Sequence, residues 1–268
     1  MTTAATVPAR PQGRSIPSVA NRFDRQVLVE LRKSVDTRSG RTLMIIIAAL
    51  VLVVLAIQIA LGRTVDEIGL SFGDLAFTTG VATAMLLPIL GILLITSEWS
   101  QRTTLITFTL EPRRIQVIAA KLGAGVIMAV AATAVVLAIA AAATPVAGAI
   151  ADRPVDWALP MGPFLGFLAQ QVIAVISGMA LAALILNTPA SIVAYVGYAL
   201  VLPMLLPLAS LWKPAEKVVP WIDFSGAQAG LTATMAGSDW AHLAVSGGIW
   251  LVLPLVLGTI RIVRSEIS

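Results

Sequence analysis

Six long apolar blocks divide the sequence, at residues 43–61, 75–95, 122–144, 161–186, 190–211 and 241–260. Each has the roughly 20 residues that a helix needs to cross about 30 Å of hydrocarbon, and none contains Asp, Glu, Lys or Arg. The runs are continuous rather than alternating, which favours helices over the strands of a barrel. The pattern predicts an all-α polytopic membrane protein whose six spans occupy residues 43–263.

The basic residues between the blocks are unevenly distributed. Fourteen of the 18 Lys and Arg residues lie before the first block, between the second and third blocks, or after the sixth. Short cytoplasmic segments of membrane proteins carry such an excess of positive charge. We therefore expect a multi-pass protein of the cell inner (cytoplasmic) membrane with both termini in the cytoplasm.

The segment before the first block has two parts. Residues 1–20 are rich in Pro, Thr, Ser and Ala, a composition typical of disorder. Residues 21–41 predict an amphipathic helix, capped by Asn21 and ended by Ser39-Gly40, that lies in the membrane interface and contacts anionic lipid. Its predicted apolar stripe consists of Phe23, Val27, Leu31 and Val35, and its cationic flank includes Arg32 and Lys33.

The segment between the fifth and sixth blocks, residues 212–240, falls on the external side of this topology. It combines several Pro and Gly residues with Trp221 and Phe224. Two interpretations remain open at this point: short helices that lie in the outer interface, or an ordinary ordered loop.

Composition excludes several classes of site. The chain has no Cys and a single His, so thiolate chemistry, disulfides and multi-histidine metal sites are excluded. No G-x-x-x-x-G-K-[ST] segment is present, so we expect a chain that is not itself an ATPase or another enzyme and that binds no cofactor. The sequence pI near 10 follows from the basic cytoplasmic segments, and no nucleic-acid partner is expected.

Residues 96–121 carry the most specific signal. They join the second and third blocks, contain acids, bases and an apolar stretch, and are broken by Pro112. One interpretation is a short cytoplasmic helix that docks in a groove of another protein, and the other is a charged loop that anchors two spans. On the docking interpretation Glu98 and Arg102 form an exposed pair one helical turn apart, and Glu98→Ala disturbs docking while leaving folding near normal.

This segment resembles the loop between the second and third spans of permeases of the type-2 ABC exporter family. The matching residues are Glu98, Trp99, Thr103, Pro112, Arg113, Arg114 and Lys121, preceded by the apolar run 87–93. The run Glu30-Leu31-Arg32-Lys33 is similar to the end of the interfacial helix in that family. One departure is Arg102, which stands where the family usually has Gly.

The resemblance implies a division of labour among subunits. Two permease subunits, identical or related, would enclose the substrate path and associate with separate ATP-binding-cassette ATPase subunits, which hold ATP and Mg. The loop would act as a coupling helix, with the interfacial helix beside it. The alternatives are an ATP-independent secondary carrier or channel, and a membrane sensor subunit that does not transport. Charge-free spans argue against ion coupling, because ion-coupled carriers use ionisable groups inside the membrane.

The topology has a direct test in a chain without native cysteines. Single cysteines at Ser71, Asp156 and Glu216 are expected to react with an impermeant thiol reagent added outside intact cells, whereas cysteines at Gln101 and Ser265 are not. The reverse labelling pattern would show the opposite orientation.

Overall fold

The computed structural model describes residues 19–100 and 113–264, which form helices and turns without a strand. The helices are α1 (Val19–Asp36), α2 (Arg38–Gly62), α3 (Phe72–Ser100), α4 (Arg114–Ala151), α5 (Met161–Ile185), α6 (Thr188–Ala209), α7 (Lys213–Glu216), α8 (Val219–Ile222), α9 (Phe224–Ala229) and α10 (Gly237–Arg264). Among the described residues, six helices are long and apolar enough to cross a membrane, namely α2 to α6 and α10. The prediction of an all-α, six-span membrane protein is confirmed.

Helix α3 is the centre of the bundle. In its most apolar window 61% of the residues are buried by other parts of the chain, against 11% for α6 and 17% for α10. It packs most extensively on α5 and also on α2 and α4. Helices α2, α6 and α10 therefore have wide apolar faces turned away from the protein, as helices in contact with lipid do.

Buried polar side chains link the helices inside the bundle. The amide of Gln171 on α5 donates to the Gly80 carbonyl at 3.1 Å and to the Thr83 hydroxyl at 2.5 Å, both on α3. The Thr79 and Thr96 hydroxyls donate to carbonyls of α3 itself, at 2.6 and 2.9 Å. Hydrogen bonds of this kind keep polar groups compatible with an apolar surrounding and fix the contact between neighbouring helices.

The break between α1 and α2 lies at Thr37, two residues before the predicted break at Ser39-Gly40. Thr37 has an extended backbone, and its hydroxyl accepts a hydrogen bond from the Gly40 amide at 3.2 Å, which caps α2. Gly40 allows the turn to be tight, because a β-carbon at this position would overlap the Ser34 carbonyl. Helix α1 also begins earlier than predicted, at Val19, so Asn21 lies inside the helix and not at its cap.

Two spans contain a π-helical turn, Gly197–Val201 in α6 and Gly248–Val252 in α10. A proline follows each turn by two residues, Pro203 and Pro254. Proline has no N–H to donate and its ring crowds the carbonyl four residues earlier, so the wider turn relieves both defects. The rings of Tyr198 and Trp250, one from each turn, pack at 5.4 Å.

The segment between α6 and α10 folds as short helices against the end of the bundle. The indole N–H of Trp250 donates to the Ile222 carbonyl at 2.8 Å, and the Gln170 amide donates to the Gln228 carbonyl at 2.6 Å. Phe224 is buried, at 3% exposure. Of the two interpretations of this segment, the structure has short helices, and they are fixed to α5 and α10.

Gly166 on α5 sets how closely this segment approaches the bundle. A β-carbon at Gly166 would overlap the Leu231 carbonyl, whereas nothing lies within 4 Å of one at Gly162, one turn earlier on the same helix. We expect Gly166→Ala to destabilise the protein by about 1–3 kcal/mol, as overpacking does, and to speed hydrogen exchange in residues 224–235. Gly162→Ala is the matched control and should leave both unchanged. Equal exchange rates in the two variants would contradict this packing.

Candidate functional site

Four charged side chains meet at the end of the bundle that holds α1. We call Glu30, Lys33, Glu98 and Lys121 the charge cluster. The Lys121 ammonium lies 2.8 Å from Glu30 Oε2, 3.2 Å from Glu98 Oε1 and 3.0 Å from the Leu94 carbonyl oxygen. The Lys33 ammonium lies 2.8 Å from Glu30 Oε1 and 3.0 Å from Glu98 Oε1. Two carboxylates and two ammonium groups therefore alternate, with no net charge.

The charge cluster joins three elements that are distant in sequence. Glu30 and Lys33 lie one turn apart on α1, Glu98 lies in the last turn of α3, and Lys121 lies two turns inside α4. Glu98 and Lys121 therefore bracket the connection between α3 and α4. The cluster holds α1 against α3, where that connection begins, and against α4, where it ends.

Three members of the charge cluster are buried. Glu30 is 5% exposed, Glu98 7% and Lys121 4%, while the Lys33 side chain is 44% exposed. Taking a charge out of water costs several kcal/mol, and only close partners with good geometry offset that cost. Lys121 meets this condition, because each of its three N–H groups has an acceptor.

The pKa of Lys33 reflects this environment. Partial burial acts to lower the pKa of its ammonium, but the hydrogen bond and the charge of Glu30, together with Glu98, raise it by more, so the pKa stands above its ordinary value. A raised pKa means that the stability contributed by this ammonium is fully present below the ordinary lysine pKa. It is lost only as the pH rises through the higher folded-state value, so Lys33 remains charged at neutral pH.

The structure changes the picture of residues 96–121. Helix α3 is described as far as Ser100 and α4 from Arg114, so Glu98 and Lys121 both lie within helices, and residues 101–112 lie outside the described residues. The expectation of an exposed Glu98 is wrong, because its carboxylate is buried against two lysines. Arg102, its predicted partner, lies outside the described residues, as do Thr103 and Pro112.

The remaining predicted loop residues are divided between the core and the surface. Trp99 packs against the hydrophobic core, and Arg113 is exposed just before α4. Arg114 reaches α10 and donates to the carbonyls of Ile262 and Val263, each at 3.1 Å. Arg114 thus braces α4 against the last span.

The predicted apolar stripe of α1 is partly correct. Val27 is buried, and Phe23 and Leu31 pack against the core, but Val35 is 48% exposed. The repeat of four drifts away from the true period of 3.6, so the packed side ends at Ser34 instead. Arg32 is exposed, as expected of a cationic flank.

Sequence reasoning missed the central role of Glu30. Its signal was present: it is an acid on the same side of α1 as Val27 and Leu31, three residues before Lys33. The sequence does not show that Lys121, ninety-one residues away, supplies the second partner.

A cavity of 650 Å³ opens beside the charge cluster, and we call it the basal cavity. Glu30, Lys33 and Glu98 line one side, and Thr188 at the start of α6 lines the other. The hydroxyls of Thr188 and Thr96 lie 2.7 Å apart and tie α6 to α3 at this level. The cavity therefore borders α1, the start of α2, the last turns of α3 and the start of α6.

A smaller cavity of 330 Å³ lies near the opposite end, between α3, α5, α6 and α9. Its polar lining groups belong to Gln170, Tyr195, Tyr198, Ser225 and Gln228, with no Asp, Glu, Lys or Arg among its lining residues. Such a lining suits an uncharged molecule with both apolar and hydrogen-bonding parts.

The described part of the chain shows no metal site beside the charge cluster and the two cavities. No group of three or more His, Asp and Glu side chains is placed to hold a metal ion there. His242 packs edge-on against Trp221, with ring centroids 4.6 Å apart. The paired charges of the charge cluster fix α1, α3 and α4 relative to one another.

The charge cluster predicts a stability effect. Lys121→Met leaves two buried carboxylates with Lys33 as their remaining cluster partner and should destabilise the chain by about 3–5 kcal/mol. Adding Glu30→Gln should cost less than in the unsubstituted chain, because the carboxylate that it removes has lost one of its two lysine partners. Unfolding in mixed micelles, followed by Trp fluorescence, measures both.

The matched control is Arg41→Met, which breaks an exposed pair with Asp36 at 3.5 Å. An exposed pair is worth less than about 1 kcal/mol. If Lys121→Met were as mild as Arg41→Met, the charge cluster would not hold the helices together.

No known family model matches this chain, and no curated protein matches it either.

Proposed function

We propose that this chain is the membrane-spanning permease subunit of a type-2 ATP-binding-cassette exporter. It would form the substrate path together with a second permease subunit, identical or related, and would be driven by separate ATPase subunits. The observation that carries the proposal is the charge cluster, which lies at the base of the α3–α4 connection and joins it to α1.

The geometry supports a role in transmitting motion. Glu98 lies within three residues of the last described residue of α3, and α4 begins seven residues before Lys121. The connection between the two spans is therefore close to both charged residues. A displacement applied to this connection acts on the ends of two spans, and the cluster passes it to α1. A partner that closes on binding ATP needs such a linked set of helix ends, because packed elements move as units.

The composition of the spans supports the proposal that the energy for transport comes from a partner subunit. The six apolar blocks contain no Asp, Glu, Lys or Arg, and their one histidine, His242, lies at the start of the last block, whereas carriers driven by ion gradients bind or relay the ion through ionisable groups inside the membrane. The chain also lacks a P-loop, so ATP would be bound and hydrolysed by the partner. The uncharged cavity at the opposite end suits a neutral amphipathic cargo.

Burial changes how coupling should be tested. Glu98→Ala would remove a buried partner of two lysines, so a loss of export could reflect misfolding alone. A charge reversal in the connection itself avoids the cluster. Arg102→Glu is the test variant, and Arg63→Glu, just after α2 on the other side of the membrane, is its control.

Affinity purification from native membranes in mild detergent is the decisive experiment. The tagged chain should carry with it a protein that contains a P-loop, and the mixture should hydrolyse ATP. Arg102→Glu should lower recovery of that protein about tenfold or more, as the loss of an interfacial charge contact of 1.4 kcal/mol or above does, and Arg63→Glu should not.

Three results would contradict the proposal. Robust ATP hydrolysis by the purified chain alone would show a nucleotide site of its own. Substrate movement in vesicles that contain only this chain would indicate a carrier or channel. Recovery of the ATPase without ATP-dependent transport of any cargo would indicate a sensor subunit.

A further inference from the structure

An apolar groove of 390 Å³ runs along the lipid-facing side of α2 and α4, roofed at one end by α1. We call it the leaflet groove. Its floor is formed by buried side chains, among them Ile47 and Val51 on α2 and Leu87 on α3. Its rim is formed by exposed ones, among them Val35 and Val135. We propose that the leaflet groove binds one acyl chain of an anionic phospholipid whose headgroup lies at Arg38 and Arg41.

The lining of the leaflet groove demands an apolar occupant. Ser34 and Thr83 supply its only side-chain hydroxyls, and they donate to the carbonyls of Leu31 and Gly80, each at 2.7 Å. The Thr83 oxygen also accepts from Gln171. Water in a cavity needs two to four polar partners, and this one does not offer them. A hydrocarbon chain needs no polar partner.

The length of the leaflet groove matches one leaflet. On α4 its lining runs from Ile127 to Ile139, which at 1.5 Å per residue is about 18 Å. Half of a hydrocarbon core is about 15 Å. On α2 the lining runs from Met44 to Val51, in the half of the apolar block 43–61 nearest α1, so the groove leads from α1 into the apolar region, as the path of a single acyl chain would.

Positive charge lies at the interfacial end of the leaflet groove. Arg41 is held beside the rim residue Val35, whose carbonyl accepts from its Nε at 3.1 Å, and Asp36 lies 3.5 Å from its Nη2. Arg38, one turn earlier, is exposed at the start of α2. Two guanidinium groups against one carboxylate leave a net positive end, and the start of a helix also favours an anion. The positive charge favours a phosphate headgroup at this end, and the apolar groove that begins there favours the acyl chain of the same lipid.

The proposal does not depend on the proposed transport function, because lipid binding is measured on the purified chain alone. The probe is phosphatidylglycerol, compared with phosphatidylcholine, titrated into the detergent-solubilised chain and followed by native mass spectrometry. We expect one lipid to be retained per chain, with phosphatidylglycerol preferred. Arg41→Gln should reduce that preference about fivefold, the effect of one interfacial cation, and Arg63→Gln should not.

A second test of lipid binding uses variants that fill the leaflet groove. Ala131 on α4 lines it, whereas Ala134 is exposed on the same helix and does not. Ala131→Phe should abolish retention of the lipid, and Ala134→Phe should leave it unchanged. Ala48→Phe on α2 repeats the test from the opposite wall if Ala131→Phe does not fold. Retention by all three variants would overturn the proposal.

A photoactivatable acyl chain on phosphatidylglycerol locates the site in the unsubstituted protein. Crosslinks should concentrate on residues 44–51 and 127–139. Crosslinks spread evenly over the exposed faces of α2, α4, α6 and α10 would show ordinary surrounding lipid and would overturn the proposal. A shift of Ala131→Phe from dimer to monomer, with lipid retained, would show instead that a second copy of the chain occupies the groove.

Discussion

The two buried contacts between Lys121 and the carboxylates of Glu30 and Glu98 are the constraint on which the end of the bundle that holds α1 depends. Lys121 has both carboxylates of the charge cluster within 3.2 Å, in a place where it is 4% exposed. A single unpaired charge there would cost several kcal/mol, so Glu30, Glu98 and Lys121 tolerate burial only together. Their requirement for one another fixes the position of α1, the last turn of α3 and the first turns of α4. This geometry explains why a helix that lies outside the spans is nevertheless part of the bundle.

The spans were predictable because one signal dominates them. Hydrocarbon admits long apolar helices and little else, so continuous blocks without charge define six helices to within several residues at each end. The ends of the helices were less predictable, because an apolar block ends at the first charged residue, whereas the helix continues beyond it. Glu98 and Lys121 lie beyond the apolar blocks, yet they belong to α3 and α4 because each finds a partner there.

The candidate site was partly predictable for the same reason. Lys33, Glu98 and Lys121 stood out as charged residues at the membrane boundary, and the structure brings all three together. Their mutual contacts were not predictable, since a pairing across ninety-one positions depends on how α1 crosses α4. Glu30 was missed because a solvated acid and a buried acid look the same in a sequence. The π-helical turns were also invisible, although Pro203 and Pro254 marked the places where α6 and α10 depart from regular helix.

We expect α1, the last turn of α3 and the first turns of α4 to form one mechanical unit. Hydrogen exchange of the intact chain in nanodiscs measures this directly, because amides that open together exchange together. The amides of residues 23–34 should exchange as slowly as those of residues 92–98 and 117–124. In Lys121→Met all three segments should lose protection in parallel, while residues 79–83 of α3 keep theirs. Fast exchange of α1 in the unsubstituted protein, or protection of α1 that Lys121→Met leaves intact, would contradict the claim.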